Sequence, residues 1–204
     1  MVVIGITGQS GSGKSEVAKY LASIGFSVID ADMVYHNLIS PPSKCLDELE
    51  LHFGRKILKA DSSLNRKTLA EMVFGEENRE KLLLLNEITH KHVCREIRKI
   101  ISSLKAMGCD LALIDAPLLF EAGLDTDCDF VISVVADRQI RLDRIISRDK
   151  ITPEMAEKRV ASQKSPEFYT ERSDFTLENN GDVSSLCDGV KKILISKEII
   201  NGND

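Results

Sequence analysis

The feature that most constrains the fold lies at the start of the chain, where an apolar run leads into glycines and a lysine. Val2 to Ile6 reads VVIGI, which is typical of a strand buried on both faces of a parallel sheet. Gly8 to Ser15 follows as GQSGSGKS and fits the spacing G-x-x-x-x-G-K-S. From Lys14 to Ser23 the apolar residues recur at helical spacing. Strand, glycine-rich turn and helix in this order predict an α/β fold with an anion site at the turn.

The residue types in this turn suit phosphate groups. Glycines allow successive backbone N–H groups to converge on one anion, and the following helix presents its positive end to the same point. The Lys14 side chain can reach β- and γ-phosphates, and the Ser15 hydroxyl is placed to ligate Mg²⁺. A flexible turn that contains a lysine by chance would not need the strand before it and the helix after it. We therefore expect this segment to bind a nucleoside triphosphate.

Length, charge and cysteine usage exclude several classes of protein. A chain of 204 residues can form one α/β domain with inserts, and its formal charge of −5 disfavours a nucleic-acid-binding face. The five cysteines show no C-x-x-C pair, so we expect reduced thiols rather than disulfides or a zinc site. The first residues do not resemble a secretion signal, and no apolar run reaches the length of a membrane span. We expect a cytoplasmic protein.

Strands and helices alternate along the chain in a way that predicts a five-stranded parallel sheet flanked by helices. After the first strand, the expected strands are Phe26 to Asp30, Leu111 to Asp115, Phe130 to Val135 and Phe175 to Asn179. Helices are expected at Ala31 to Ile39 and from about Val183 onward, and the polar tail after Ile200 is expected to be disordered.

Two helical segments exceed what a minimal sheet needs. One runs from Arg66 to Leu104, and the other runs from Asp137 to Lys164 with a break at Thr152 and Pro153, an N-cap and N1 pair. We expect a single domain with a core (about 1–60, 105–136 and 166–204), a helical insert (about 61–104) and a lid segment (about 137–165).

The remaining motifs favour phosphoryl transfer over other uses of a triphosphate. Neither the N-K-x-D nor the D-x-x-G string of switch GTPases occurs in the chain. Small chains with a phosphate-binding loop and two helical inserts are characteristically kinases, in which one insert holds the acceptor and the other closes against water. Asp30 and Asp32 follow the second strand and should open onto the same crevice as the loop. Asp32 could orient an acceptor hydroxyl, or both carboxylates could merely begin a helix.

The lid segment is basic in an otherwise acidic chain. From Asp137 to Lys164 it carries eight basic and five acidic residues, a balance of 8 − 5 = +3. Arg141, Arg144 and Arg148 occupy positions i, i+3 and i+7, which share one face of a helix. Guanidinium groups there could offset charge on a transferring phosphoryl group. The alternative is a solvated helix surface with local ion pairs.

Taken in order, these motifs resemble the dephospho-coenzyme A kinase family over almost the whole chain. The motifs are TG-x-x-GSGKS, IDAD (Ile29 to Asp32), L-x-R ending at Arg66, His90, APLLFE (Ala116 to Glu121), R-x-x-x-RD (Arg144 to Asp149), Gln163 and ENNG (Glu178 to Gly181). The resemblance implies a P-loop kinase fold and transfer of a phosphoryl group from ATP, with Mg²⁺, to the ribose 3′-hydroxyl of dephospho-coenzyme A. It also implies a small-molecule substrate, with no nucleic-acid or membrane partner, and we expect a monomer. Another nucleoside or nucleotide kinase, or a regulatory nucleotide-binding module, is the alternative.

The resemblance also implies roles for individual residues. Asp32, Lys14, Arg144 and Arg148 would be catalytic, and Ser15 would ligate the metal. The acceptor would contact Asp32, Arg66, His90, Pro117 and Leu118. The nucleotide would contact Gly8, Gly11, Ser12, Gly13, Lys14, Ser15 and Glu16.

The chain departs from the family pattern at three places. Gln9 and Ser10 stand where the family more often has Gly-Ile, and we expect little effect because the backbone contacts phosphate at this apex. Glu16 stands where threonine is common, and His90 is followed by Lys91 rather than proline.

Overall fold

The computed structural model describes residues 1–201, apart from the side chain of Glu76, so the last residues of the predicted disordered tail lie outside the described part. Its centre is a five-stranded sheet in the order β2-β3-β1-β4-β5. The strands are β1 (Val2–Gly8), β2 (Ser27–Asp30), β3 (Leu111–Asp115), β4 (Phe130–Val135) and β5 (Phe175–Glu178).

The sheet is parallel, as the sequence predicts. β1 is hydrogen-bonded between β3 and β4, with Ile6 opposite both Asp115 and Ile132. Parallel strands end at the same edge, so the turn after β1 lies beside the segments that follow β3 and β4. The apolar runs of β1 and β4 are buried along nearly their whole length because helices cover both faces.

The helices follow the predicted alternation and add two that the sequence analysis did not include, α3 and α8. They are α1 (Lys14–Ser23), α2 (Ala31–Leu38), α3 (Lys44–Phe53), α4 (Arg66–Val73), α5 (Arg79–Ala106), α6 (Arg138–Asp149), α7 (Pro153–Ala161), α8 (Pro166–Thr170) and α9 (Val183–Ser196). Thr152 caps α7 as expected, since its side chain accepts a hydrogen bond from the Met155 amide at 3.4 Å.

The chain forms two compact units, which we name the sheet unit and the helical unit. The sheet unit contains Met1–Ile29 and the chain from Leu104 onward, and the helical unit contains Asp30–Ser103. In the sheet unit the core is formed by aliphatic side chains such as Ile6, Leu113 and Ile132. The helical unit has its own core around Leu49 and Ile57. No helix between residues 1 and 201 is both long and apolar enough to cross a membrane.

Replacing a leucine in the sheet core tests how far the fold depends on this packing. Leu113 is fully buried in β3, so Leu113→Ala should lower the free energy of unfolding by about 3 kcal/mol through lost burial and a residual cavity. Leu51→Ala is the matched control, because the Leu51 side chain is 80% exposed and should contribute less than about 0.5 kcal/mol. Urea unfolding measures both, and equal losses would contradict the assignment of Leu113 to the core.

Candidate active site

The glycine-rich segment of residues 8–15, which we name the phosphate turn, adopts backbone conformations that favour glycine. Gly8, Gly11 and Gly13 all have positive φ angles, of 134°, 80° and 106°. A side chain at Gly11 would place its Cβ 2.8 Å from the backbone oxygen of Arg141, which is too close for any real contact. The turn can therefore pack directly against α6 only because residue 11 has no side chain.

Lys14 folds back over the turn. Its Nζ donates to the backbone oxygen of Gly8 at 2.8 Å and to that of Gln9 at 3.4 Å. The ammonium group thus lies at the loop that the sequence assigns to phosphate. Gly13 serves as the N-cap of α1, so the helix begins at the end of the same turn and directs its positive end toward it.

The other predicted phosphate-binding side chains differ in their surroundings. Ser15 is exposed in the first turn of α1, whereas Ser12 is buried and its hydroxyl oxygen has no hydrogen-bond partner among the described residues. The Glu16 carboxylate pairs with Lys19 at 2.8 Å on the surface of α1. The Glu16 side chain is therefore directed along the surface of α1 toward Lys19.

The segment after β3 is fixed beside the turn. Ala116 donates its amide to the Ile6 carbonyl at 3.1 Å, and the buried Thr7 hydroxyl donates to the Pro117 carbonyl at 3.2 Å. Leu118 is half exposed at the surface. The structure thus brings the predicted acceptor residues Pro117 and Leu118 to the sheet edge where the phosphate turn lies.

The same register identifies a carboxylate that the predicted site did not include. Asp115 ends β3 directly opposite Ile6. Ile6 itself lies two residues before Gly8, where the turn begins. The signal in the sequence was an acidic residue at the end of a buried strand, which is the usual position of a Walker B aspartate.

Arg144 contacts the turn from α6. Its Nη1 donates to the backbone oxygens of Gly11 at 3.3 Å and Asn179 at 3.1 Å. The guanidinium group therefore connects the turn with the segment that follows β5.

Arg148 lies one turn farther along α6. Its Nε and Nη2 donate to the two oxygens of Asp149 at 2.7 and 3.0 Å, and Nη2 lies 3.4 Å from the Ser10 hydroxyl. Asp149 also pairs with Arg159 of α7, so one carboxylate holds two arginines near the turn. Both arginines predicted to be catalytic thus border the phosphate turn.

Two side chains that were not among the predicted site residues lie at the turn. Gln9 and Arg141 are each only 3% exposed, although both are polar. Gln9 Nε2 donates to the Lys164 carbonyl at 2.9 Å, and Arg141 donates to the Ser10 carbonyl at 3.0 Å and to the Gln163 side chain. The Gln9 side chain, expected to matter little, therefore connects the apex of the turn with the end of the lid segment.

The helical unit contains Asp32, the carboxylate predicted to orient the acceptor hydroxyl. Asp30 is the N-cap of α2 and accepts a hydrogen bond from the Met33 amide at 3.0 Å, whereas Asp32 is exposed in the first turn. His36 shares the face of Asp32 because residues four apart align on a helix. Arg66 approaches this face, with its Nη2 2.8 Å from His36 Nδ1. Asp32 and Arg66 thus lie on the same side of this unit.

The two neighbouring histidines of α5 have different environments. His90 is half-buried, and its role stays a prediction. His92 is almost fully buried and lies 2.7 Å from a carboxylate oxygen of Glu48 in α3, which also pairs with Lys91. The side-chain hydrogen bonds from Lys91 and His92 lower the pKa of Glu48 to about 2. His92 therefore fixes the packing of α3 on α5.

The Asp149 cluster predicts a pH dependence. Hydrogen bonds from Arg148 lower the pKa of Asp149 from 3.8 to about 2. Because the pKa of Asp149 is lower in the folded protein than in the unfolded chain, the ionised carboxylate stabilises the fold at pH values above 3.8. This stabilisation is lost as the pH falls toward about 2. Asp149→Asn should therefore lower the unfolding free energy at about pH 7 and have a smaller effect near pH 2.5. Urea unfolding at both pH values measures this.

The control for this prediction is Asp143→Asn on the same helix. Asp143 accepts a hydrogen bond from Gln139 at 3.0 Å, so its replacement keeps an acceptor in place. Equal pH dependence of the two variants would contradict a special role for Asp149.

Comparison with known proteins identifies the family. The family model described as dephospho-CoA kinase matches residues 2–185. The chain is 42% identical over 193 residues to a dephospho-CoA kinase of Fusobacterium nucleatum, covering 94% of this chain and 96% of the relative.

Solved structures agree with this comparison. The protein TT1252 of Thermus thermophilus superimposes with a TM-score of 0.80 and 29% identity, covering 96% of this chain and 97% of the other. A dephospho-CoA kinase from Campylobacter jejuni superimposes with a TM-score of 0.69 and 27% identity, covering 97% of this chain and 98% of the other. With the phosphate turn, the strand order and the flanking arginines in place, the chain belongs to the dephospho-CoA kinase family.

Proposed function

We propose that the chain transfers the γ-phosphoryl group of ATP to the ribose 3′-hydroxyl of dephospho-coenzyme A and releases ADP and coenzyme A. The observation that carries this proposal is the family match across residues 2–185 on a sheet whose phosphate turn is intact. The acceptor oxygen forms a bond to the γ-phosphorus while the bond to the β,γ-bridging oxygen breaks, and the hydroxyl proton leaves to a base. A kinase acting on another nucleoside or nucleotide is not favoured, because the relatives with high identity share one activity in their names.

The phosphate turn would hold the triphosphate mainly through its backbone. Amides of the turn and the positive end of α1 attract the phosphate oxygens, and Lys14 would exchange its bonds to the Gly8 and Gln9 carbonyls for bonds to the β- and γ-phosphates. The proposed nucleotide contacts are Gly8, Gly11, Ser12, Gly13, Lys14, Ser15 and Glu16.

Asp32 is the proposed base and orienting group for the acceptor. Its carboxylate is exposed at the start of α2, where it can accept the hydroxyl proton. Arg66, on the same side of the helical unit, would bind a phosphate of the anionic acceptor. His90, Pro117 and Leu118 would complete the acceptor contacts.

Magnesium would be held chiefly by the nucleotide. Within the described residues no group of three or more histidine, cysteine, aspartate or glutamate side chains is arranged to bind a metal. Mg²⁺ commonly takes one or two protein oxygens and fills its other positions with phosphate oxygens and water. The exposed Ser15 hydroxyl at the start of α1 fits such a site, where the ion would neutralise phosphate charge.

Arg144 and Arg148 would stabilise the charge that develops during transfer. Both already border the turn, and guanidinium groups suit the equatorial oxygens of a transferring phosphoryl group. Residues 137–165 are proposed to act as the lid that excludes water. We further propose a monomer in the cytoplasm, where ATP is supplied, without a nucleic-acid or membrane partner. The net charge of −5 supports the absence of a nucleic-acid partner.

The identity of the acceptor is tested by ADP release from Mg-ATP. Dephospho-coenzyme A should stimulate release, whereas adenosine and uridine at equal concentration should not. Chelation of the metal with EDTA should abolish the stimulated rate, because the phosphate charge is then no longer neutralised. Stimulation by a nucleoside instead would transfer the chain to the alternative kinase class, and acceptor-independent hydrolysis would favour a regulatory module.

The role of Asp32 is tested by an isosteric pair of variants. Asp32→Asn removes the base and should reduce kcat by about 10² to 10⁴, with the Kd for ATP within twofold of the parent protein. Asp30→Asn is the control, since asparagine caps a helix as well as aspartate does and should leave kcat nearly unchanged. An active Asp32→Asn variant would exclude Asp32 as the base.

A further inference from the structure

Three successive carbonyl groups of the phosphate turn accept hydrogen bonds from side chains outside the turn. Ser10 accepts from Arg141 at 3.0 Å, Gly11 accepts from Arg144 at 3.3 Å, and Ser12 accepts from Asn179 at 2.7 Å. These donors come from α6 and from the segment after β5. The phosphate turn therefore has a set of outer donors.

The planar peptide bond links these contacts to the inner side of the turn. In a trans peptide the carbonyl of one residue and the N–H of the next point in opposite directions. A donor that holds the Ser12 carbonyl outward thus turns the Gly13 N–H inward, and a donor on Ser10 does the same for the Gly11 N–H. Inward N–H groups are what a phosphate-binding turn needs.

Asn179 is the outer donor that is most completely fixed. It is only 4% exposed and follows β5, and its backbone N–H donates to the Val135 carbonyl at 2.8 Å. A Cβ on Gly13 would lie 2.2 Å from Asn179 Nδ2, so the amide group fills the space that the glycine leaves. The Asn179 side chain also lies 3.4 Å from Arg144 Nη2.

We propose that Asn179 is a positioning residue for phosphate binding, which acts by holding the Ser12 carbonyl outward so that the Gly13 amide faces the nucleotide. This inference rests on the proposed phosphoryl transfer from ATP. Unlike Arg141 and Arg144, Asn179 carries no charge, so its removal changes no long-range attraction for the anion. Any effect on the binding of phosphate then arises from geometry, either of the turn itself or of Arg144, whose Nη2 lies 3.4 Å from the Asn179 side-chain oxygen.

The test compares Asn179→Ala with Asn180→Ala. Asn180 is the adjacent asparagine, whose side-chain oxygen accepts from the Asp137 amide at 2.8 Å rather than from the phosphate turn. Calorimetry measures the binding of Mg-ATP and of Mg-tripolyphosphate, which lacks a base and a ribose, and steady-state kinetics measures the two KM values.

For Asn179→Ala we expect both Mg-ATP and Mg-tripolyphosphate to bind more weakly by the same factor, on the order of tenfold for one lost buried hydrogen bond. The KM for dephospho-coenzyme A should stay within twofold of the parent value. Asn180→Ala should change neither affinity by more than twofold. Asn179→Ser keeps a shorter donor and should recover part of the lost affinity, and it also serves if the alanine variant does not fold.

Three results would overturn the inference. Unchanged affinity for both probes would show that the Asn179 contact does not set the turn. Weaker binding of ATP alone would place the side chain at the nucleoside. A common shift of both KM values with a lower thermal midpoint would indicate a general loss of stability. Failure of the proposed function is a separate outcome, in which the parent protein itself binds neither Mg-ATP nor Mg-tripolyphosphate.

Discussion

The orientation of the peptide groups in the phosphate turn is the constraint on which the rest of the sheet unit depends. An anion can be bound only if N–H groups of the turn face it, and the carbonyl groups that point away from the anion then need donors of their own. Lys14 supplies donors for Gly8 and Gln9, while α6 and the segment after β5 supply them for the three carbonyls that follow. The strand order β3-β1-β4-β5 brings those donors to one edge of the sheet. The strand order thus positions the donors of the phosphate turn as well as the residues of the core.

Charge is distributed unevenly between the chain as a whole and helix α6. The chain is acidic overall, yet Arg141, Arg144 and Arg148 of α6 all donate to atoms of the turn. Each is held by a neighbouring oxygen, so cations are present at the site without long flexible side chains having to be ordered when the nucleotide arrives. In the helical unit, the exposed carboxylate of Asp32 and the guanidinium of Arg66 lie on the same side of that unit.

Local sequence signals predicted the secondary structure well because periodicity and capping act over a few residues. The bounds of α1, β3 and β4 agree with the predicted ones, and the break before α7 falls at Thr152 and Pro153. The ends of β1 and β5 differ by one or two residues, since strand ends are set by pairing with neighbours. The helix α8 was not predicted because it has only five residues. The helix α3 was not predicted although Ser43 caps it and Cys45, Leu49 and Phe53 recur at helical spacing. The core, insert and lid divisions stay predictions.

The sequence by itself determined the class of the protein. A buried strand, the G-x-x-x-x-G-K-S turn and the ordered motifs after it specify a phosphate-binding kinase of one family, because each of these signals is local and chemically specific. Only the tertiary structure decided how the turn is held. Arg141 and Asn179 lie 131 and 167 residues from the carbonyls that they bind, and Gln9 lies 155 residues from its partner Lys164. No periodicity or spacing encodes such pairs, since they arise when parallel strands bring distant segments to a common edge.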